Sequence, residues 1–210
     1  MVSDKLLSEE VLTAIINRYK LSGEEITSAF LSHIATKNYE VTRIARMKKG
    51  GITTSFKKIT SIAVAGTFDP FHIGHEALIK AAFKHKKSDN VLVGVMSDEY
   101  VKRTKNRFAT PYRKRVAAVR RYCETIANGK PFKISKISTT FGHILIISEI
   151  KYIVLSTEGD YNEWLSIVNE SRDTPVIPII VPVVSDEKAE RISSTNIRNG
   201  YITRYGKYPR

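Results

Sequence analysis

The run Gly66-Thr67-Phe68-Asp69-Pro70-Phe71-His72-Ile73-Gly74-His75 decides the fold. It follows Ile59 to Ala65, an apolar run that reads as a buried parallel strand. It precedes Glu76 to Phe83, which reads as a helix packed by Leu78, Ile79, Ala82 and Phe83. Two histidines therefore sit where a strand hands over to a helix N-terminus. Such a terminus offers unpaired backbone N–H groups and a positive dipole end, which suits a phosphate. Gly74 lets the backbone approach a ligand because it has no Cβ. His72 and His75, spaced i, i+3, can donate hydrogen bonds to phosphate oxygens as charge builds up. The plainer alternative, a helix cap and a surface residue, accounts less well for two histidines flanking a glycine after a Gly-Thr-Phe-Asp turn.

Outward from this stretch, strand and helix patterns alternate. Val91–Met96 reads as a second buried strand. Thr110 reads as an N-cap with Pro111 at the first helical position, opening a helix through Val116, Val119 and Tyr122. Phe132–Ile137 reads as a third strand, Ile144–Ile150 as a short helix, Tyr152–Leu155 as a fourth strand, Trp164–Asn169 as helical and Val176–Val183 as a fifth strand. This alternation predicts an α/β domain with a doubly wound, Rossmann-like parallel sheet of about five strands over residues 59–210. Ligands of such sheets bind beyond the carboxyl ends of the strands. Residues 1–58 read as a small helical N-terminal appendage of unassigned role. Leu7, Val11, Leu12, Ile15, Ile16 and Tyr19 fall at helical spacing, Ser22 and Glu25 form a capping box, and Ile26, Phe30, Leu31 and Ile34 share one face. Val41–Met47 fits strand or helix, and Lys48-Lys49-Gly50-Gly51 marks a break.

Composition narrows the class. The chain has 210 residues, 42% apolar and 26% charged, ordinary for a soluble globular protein. The longest apolar stretch, Val176–Val184, is interrupted by Pro178 and Pro182 and is far short of the ~20 residues a membrane helix needs. Its start has no apolar core of signal-peptide length, and Cys123 is the only cysteine, so no intrachain disulfide can form. The expectation is a cytoplasmic protein without a membrane partner. The net charge of +13 suits a polyanionic small molecule as well as nucleic acid, so charge alone does not choose between them. The oligomeric state stays open, a homo-oligomer included.

A second cluster, Ile192-Ser193-Ser194-Thr195-Asn196-Ile197-Arg198, brings hydroxyl side chains into a last helix, with Arg198 one turn on. Such a terminus suits the β,γ-phosphates of a nucleotide, although a simple Ser/Thr cap with a surface arginine has the same composition. Lys102, Arg103, Lys105 and Arg107 fit either a solvated basic loop or, for Lys102 and Lys105, a phosphate site at a strand end.

Together the two clusters resemble the nucleotidyltransferase superfamily, which shares its histidine motif with class I aminoacyl-tRNA synthetases. The Gly-Thr-Phe-Asp start and Ile-Ser-Ser-Thr-x-Ile-Arg end resemble the phosphopantetheine adenylyltransferases of the archaeal and eukaryotic form. Val95–Tyr100 with Lys102 and Lys105, Pro111-Tyr112 with Arg115, and Ser156-Thr157-Glu158 with Asn169 and Arg172 extend the likeness over roughly residues 60–200. Ser138–His143 departs from the Asp-Pro-Tyr-Gly-Pro-like segment of many relatives, as Pro70-Phe71 departs from their Leu-containing form. The segment Lys133–Ile137 resembles the Lys-Met-Ser-Lys-Ser loop of synthetases, but reads as a strand and is set aside as chance.

The resemblance implies adenylyl transfer from ATP to 4′-phosphopantetheine, giving dephospho-coenzyme A and pyrophosphate. It implies His72, His75, Lys102 and Lys105 as catalytic residues. It implies Gly66, Thr67, Phe68, Gly74, Ser193, Ser194, Thr195 and Arg198 around ATP, and Thr67, Asp69, Lys102 and Arg115 around the acceptor. Mg²⁺ is expected to travel with ATP, with no protein metal cage. Rival readings are a cytidylyltransferase or a nicotinamide-mononucleotide adenylyltransferase, whose usual endings differ from this one. A nucleic-acid-binding protein on the same fold is disfavoured by intact His72, His75 and Arg198.

Overall fold

The computed structural model describes residues 39–46, 52–145, 147 and 149–209. The chain divides into two compact units, Met1–Ile59 and Thr60–Arg210. In the first, β1 (Tyr39–Arg46) and β2 (Ile52–Lys58) pair antiparallel, with a register shift between Val41 and Arg43. The helical expectation for residues 1–58 therefore does not hold over these two segments. Their β-branched residues, Val41, Thr42 and Ile44 in β1 and Ile52, Thr53 and Thr54 in β2, favour extended backbone. The helices expected within residues 1–38, the Ser22 capping box and the Lys48–Gly51 break lie outside the described residues.

The second unit is built on a parallel sheet with the order β5-β4-β3-β6-β7. Its strands are β3 (Ser61–Gly66), β4 (Asn90–Met96), β5 (Phe132–Ile137), β6 (Ile150–Ser156) and β7 (Ile177–Val181). The five expected strands are all present. The period-2 alternation of strand side chains feeds two cores. Ile62, Val64, Val91, Val93 and Val95 pack with α1 (Ile73–Lys84) and α3 (Tyr112–Ile126) through Ile79, Ala82, Val119 and Cys123. On the other face Ala63, Leu92 and Ile153 meet Ile144, Ile150 and Val168, the last from α4 (Asn162–Glu170). Helix layers on both faces make the sheet doubly wound. The strand order reverses between β3 and β6, so the topological switch point opens where Gly66 ends β3. Among the described residues no helix is long and apolar enough to cross a membrane.

Three local expectations are corrected. Thr110 does not cap α3; Pro111 holds the N-cap position without a side-chain cap bond, and the Tyr112 N–H is taken instead by Asp98 Oδ2 at 3.0 Å. Of the expected helix Ile144–Ile150, the described residues Ile144, Leu145 and Glu149 lie in turns and Ile150 begins β6, while the carbonyls of Ile144, Ile147 and Ile150 accept from the Arg172 guanidinium. Finally, the basic stretch after β4 begins as a helix, α2 (Asp98–Lys105), capped by Ser97 Oγ on Tyr100 N at 3.0 Å.

Candidate active site

A cavity of about 730 Å³ opens at the switch point. Of the expected residues, Gly66, Thr67, His72, Gly74, His75, Lys105, Ser193, Ser194, Thr195 and Arg198 line it. Segments more than a hundred residues apart thus meet at one strand edge, because α1 and α5 (Ser194–Arg198) both start there.

His72 is the N-cap of α1. Its Nδ1 accepts from Gly74 N at 3.1 Å, so in the neutral ring the proton sits on Nε2, which lies 3.1 Å from Ser194 Oγ and donates to it. Ser194 Oγ in turn donates to the Pro70 carbonyl at 3.4 Å. One imidazole therefore ties the two helix starts together. Gly74 is required for this, because a Cβ there would stand 2.9 Å from His72 Cε1. Ser193 acts as the cap of α5, accepting from Asn196 N at 3.1 Å.

His75 is held differently. Its ring lies 3.8 Å from that of His72, meets Phe68 edge-on at 5.0 Å and stacks on Phe71 at 5.8 Å, all centroid to centroid. Its Nδ1 is buried with no hydrogen-bond partner. A buried lone pair costs less than a buried unpaired N–H, so the proton belongs on Nε2, the nitrogen left for a ligand. Burial, then the cations of Arg191 and Arg204, push the His72 pKa down to about 4. Burial, then His72 and Lys105, push His75 down to about 3 against a weaker pull from Asp69. Both rings are neutral at pH 7.

The cationic wall centres on Asp69. Its carboxylate accepts from Arg107 Nη1 at 2.6 Å, while its carbonyl accepts from Arg198 Nη1 at 2.7 Å. Burial raises the Asp69 pKa, but bonds from Thr110 and Arg107 outweigh that and hold it below the usual carboxylate range. Desolvation and the neighbouring Arg107 and Arg198 lower the Lys105 pKa, and desolvation with Arg107 lowers that of Arg198. One carboxylate thus serves several crowded cations, an arrangement that favours an incoming polyanion.

Four expected site residues do not line the cavity. Phe68, at φ 55°, turns its ring into the core, and Gly66 leaves room for it, since a Cβ there would lie 3.2 Å from the ring. Asp69 is buried behind the wall. Arg115, 2% exposed, donates to the carbonyls of Thr67 and Thr110 at 2.7 Å each and pairs with Asp98 at 2.6 Å. It braces the motif loop from behind. Lys102 is exposed on α2 with its Nζ 5.0 Å above the Phe108 ring. Asn106, in the left-handed region at φ 47°, ends α2 and turns Arg107 inward to take the place expected of Lys102. Arg191, Tyr161, Trp164 and Thr140 also line the cavity, and sequence reading gave them no part in it. Strand order brings Tyr161, Trp164 and Arg191, from the segments after β6 and β7, to the same cavity as His72.

The cytidylyltransferase-like family matches residues 63–200. Phosphopantetheine adenylyltransferase of Pyrococcus horikoshii is 34% identical over 155 residues, covering 71% of this chain and 95% of the relative. The chain belongs to the cytidylyltransferase-like family, in its phosphopantetheine adenylyltransferase branch. A second enzyme of that name, from Methanopyrus kandleri, is 30% identical over 69% of this chain and 92% of its own length. A solved structure of a protein of unknown function from Archaeoglobus fulgidus superposes with a TM-score of 0.50 at 27% identity, over 64% of this chain and all of that one. The matched family segment begins inside β3 and ends just past α5. It therefore holds both motif clusters of the cavity and excludes the β1–β2 hairpin.

Proposed function

We propose that this chain transfers the adenylyl group of ATP to 4′-phosphopantetheine, giving dephospho-coenzyme A and pyrophosphate. The observation that carries the reading is the convergence of His75, the Ser194–His72 link and the Lys105–Arg107–Arg198 wall on one cavity, in a chain of this family. A phosphate monoester oxygen of the acceptor attacks the α-phosphorus. A new P–O bond forms, the α–β bridging bond breaks, and pyrophosphate leaves with the electron pair. Phosphate is a competent nucleophile at neutral pH, so catalysis is positioning and charge stabilisation.

In this scheme His75 donates from Nε2 to the α-phosphate in the transition state. His72, occupied on both nitrogens within the protein, orients Ser194 and the two helix starts. Arg198, Ser193, Ser194 and Thr195 hold the departing pyrophosphate, while Thr67, Lys105 and Arg107 meet the acceptor phosphate and the developing charge. Mg²⁺ fits as a passenger on ATP, because Glu158 is the one carboxylate lining the cavity among the described residues. When bound there it would neutralise phosphate charge. A cytoplasmic site of action belongs to the same reading. The test is pyrophosphate release from ATP or CTP with a panel of phosphorylated acceptors. ATP with 4′-phosphopantetheine should be the best pair; turnover of another acceptor with none of this one would refute the assignment.

A further inference from the structure

The cavity wall is cationic at one end, yet Glu158 stands in it too. A carboxylate repels phosphate, so its presence beside a polyanion site calls for a different partner. Glu158 sits just beyond the end of β6, across the switch point from the β3 loop that leads to His72. The turn that carries it is closely built. Thr157 N donates to the Val181 carbonyl at 3.1 Å and its Oγ1 accepts from Val183 N at 3.3 Å, which pins the turn to β7. The Tyr161 ring folds back over Gly159, where a Cβ would come within 2.2 Å of it, and its hydroxyl lies 3.3 Å from Ser156 Oγ. The neighbouring Asp160 is already used on Asn162 N at 3.1 Å. Glu158 faces Arg191, and the pair joins the β6 turn to the segment leading into α5. Tyr161, Trp164, Pro182 and Val183 line the same end of the cavity with aromatic and apolar surface.

These features divide the cavity into a phosphate end at α1 and α5 and an uncharged end at Tyr161 and Trp164, with Glu158 beside the latter. We infer that Glu158 reads the nucleoside half of the bound nucleotide, accepting hydrogen bonds from its neutral hydroxyl or amino donors while Arg191 leaves the ion pair and turns to the phosphates. The inference rests on the adenylyl-transfer reading for the orientation of the nucleotide. A carboxylate suits this task because it accepts only, and each of its oxygens can take a hydroxyl or amino hydrogen. Arg191 suits the other half because its fork matches phosphate oxygens. The ion pair keeps both groups compensated until a nucleotide replaces it.

The experiment measures binding calorimetrically on the full chain, at saturating Mg²⁺ and without acceptor. The probes are ATP, 2′-deoxy-ATP, 3′-deoxy-ATP and purine riboside triphosphate, which lacks the 6-amino group. At least one analogue should bind the natural chain tenfold or more weakly than ATP. In Glu158→Ala that penalty should shrink to within twofold, with Glu158→Gln in between. The analogue that carries the penalty names the donor, a ribose hydroxyl or the base amine. Equal Kd values for all four on the natural chain would overturn the inference, as would a penalty that persists in Glu158→Ala. In a companion Mg²⁺ titration and thermal melt, a change confined to the Mg²⁺ midpoint, or to Tm, with the Kd ratios intact would also overturn it, assigning Glu158 to the cation or to a structural ion pair. If ATP binds with these ratios but 4′-phosphopantetheine is no acceptor, the Glu158 assignment stands and the acceptor assignment falls. If no nucleoside triphosphate binds, both fall.

Discussion

Replacing Gly74 by alanine tests how the site is assembled. Alanine is ordinarily the better helix residue, by up to about 1 kcal/mol. Here the added Cβ would stand 2.9 Å from His72 Cε1 and 3.0 Å from Nδ1. The imidazole cannot yield slightly, because it is held between Gly74 N and Ser194 Oγ at 3.1 Å on either side. It must leave the cap. That removes an N-cap interaction, about 0.5–2 kcal/mol, and the bond to Ser194, about 0.5–1.5 kcal/mol. After the helix-propensity gain, a net loss of about 1–2 kcal/mol remains, or roughly 2–8 °C in Tm for a domain of this size. The assay is urea unfolding of the natural chain, Gly74→Ala, His72→Ala and the double variant. With the ring gone, the methyl group meets nothing nearer than the Ile192 carbonyl at 3.9 Å, so Gly74→Ala should be neutral or stabilising in the His72→Ala background. The two changes should therefore be non-additive by about 1 kcal/mol or more, as contacting residues are. If Gly74→Ala stabilises the natural chain, or costs the same in both backgrounds, the ring-over-glycine account is wrong.

His75→Ala should lower kcat by roughly 10²–10³, as for loss of one transition-state donor, with ATP affinity little changed. Arg198→Ala should instead weaken ATP binding, since its partner phosphates are present in the ground state; steady-state kinetics beside calorimetry separates the two, and near-normal kcat in a folded His75→Ala chain would refute the role. The depressed imidazoles also make stability depend on pH. Unfolded histidines titrate near 6.5, whereas the folded chain holds His72 at about 4 and His75 at about 3. Between those values the unfolded state binds more protons, so the contribution is fully present above pH 6.5 and is lost as pH falls through that value toward the folded pKa values. Each ring should contribute a slope of up to about 1.4 kcal/mol per pH unit there. A His72→Gln/His75→Gln chain should show a flatter fall in urea midpoint between pH 7 and 5, and an unchanged slope would count against these pKa assignments.

Where the sequence was legible, a local pattern carried the signal. The runs of β3 and β4 pack against apolar clusters on both faces of a parallel sheet, with only Ala65 exposed at the cavity end, so the apolar run is unbroken; that is why Ile62–Ala65 and Val91–Val95 read as strands. The His72–Gly74–His75 spacing sits within one helix turn and was legible for the same reason. What stayed hidden depends on tertiary partners. Arg115 resembles a phosphate ligand in sequence, and only the fold shows its donors spent on Thr67, Thr110 and Asp98. Lys102 and Arg107 look alike as basic residues, and the left-handed turn at Asn106 decides which one faces the cavity. The segment 144–150 has helical apolar spacing, but its carbonyls at Ile147 and Ile150 are taken by Arg172, which lies too far along the chain for any local window to see. Arg191 and Glu158 likewise meet only through strand order.

The two imidazoles also discriminate between chemical roles. A general acid or base works best with a pKa near the operating pH. His75 at about 3 and His72 at about 4 lie well below that. An arriving triphosphate would raise both, since an opposite charge favours the protonated ring. Yet His75 starts from a ring packed among Phe68, Phe71 and His72, a surrounding that opposes charge. A neutral ring that donates from Nε2 avoids this cost and needs no proton delivered or removed during the reaction. The proposed chemistry makes no such demand, because the attacking phosphate is already anionic beside Lys105 and Arg107 and pyrophosphate leaves as an anion held by Arg198. The cations supply the charge, and the histidines supply direction. Burial of the histidine pair among aromatic rings is therefore consistent with catalysis by placement, and would be a poor design for proton transfer near neutrality.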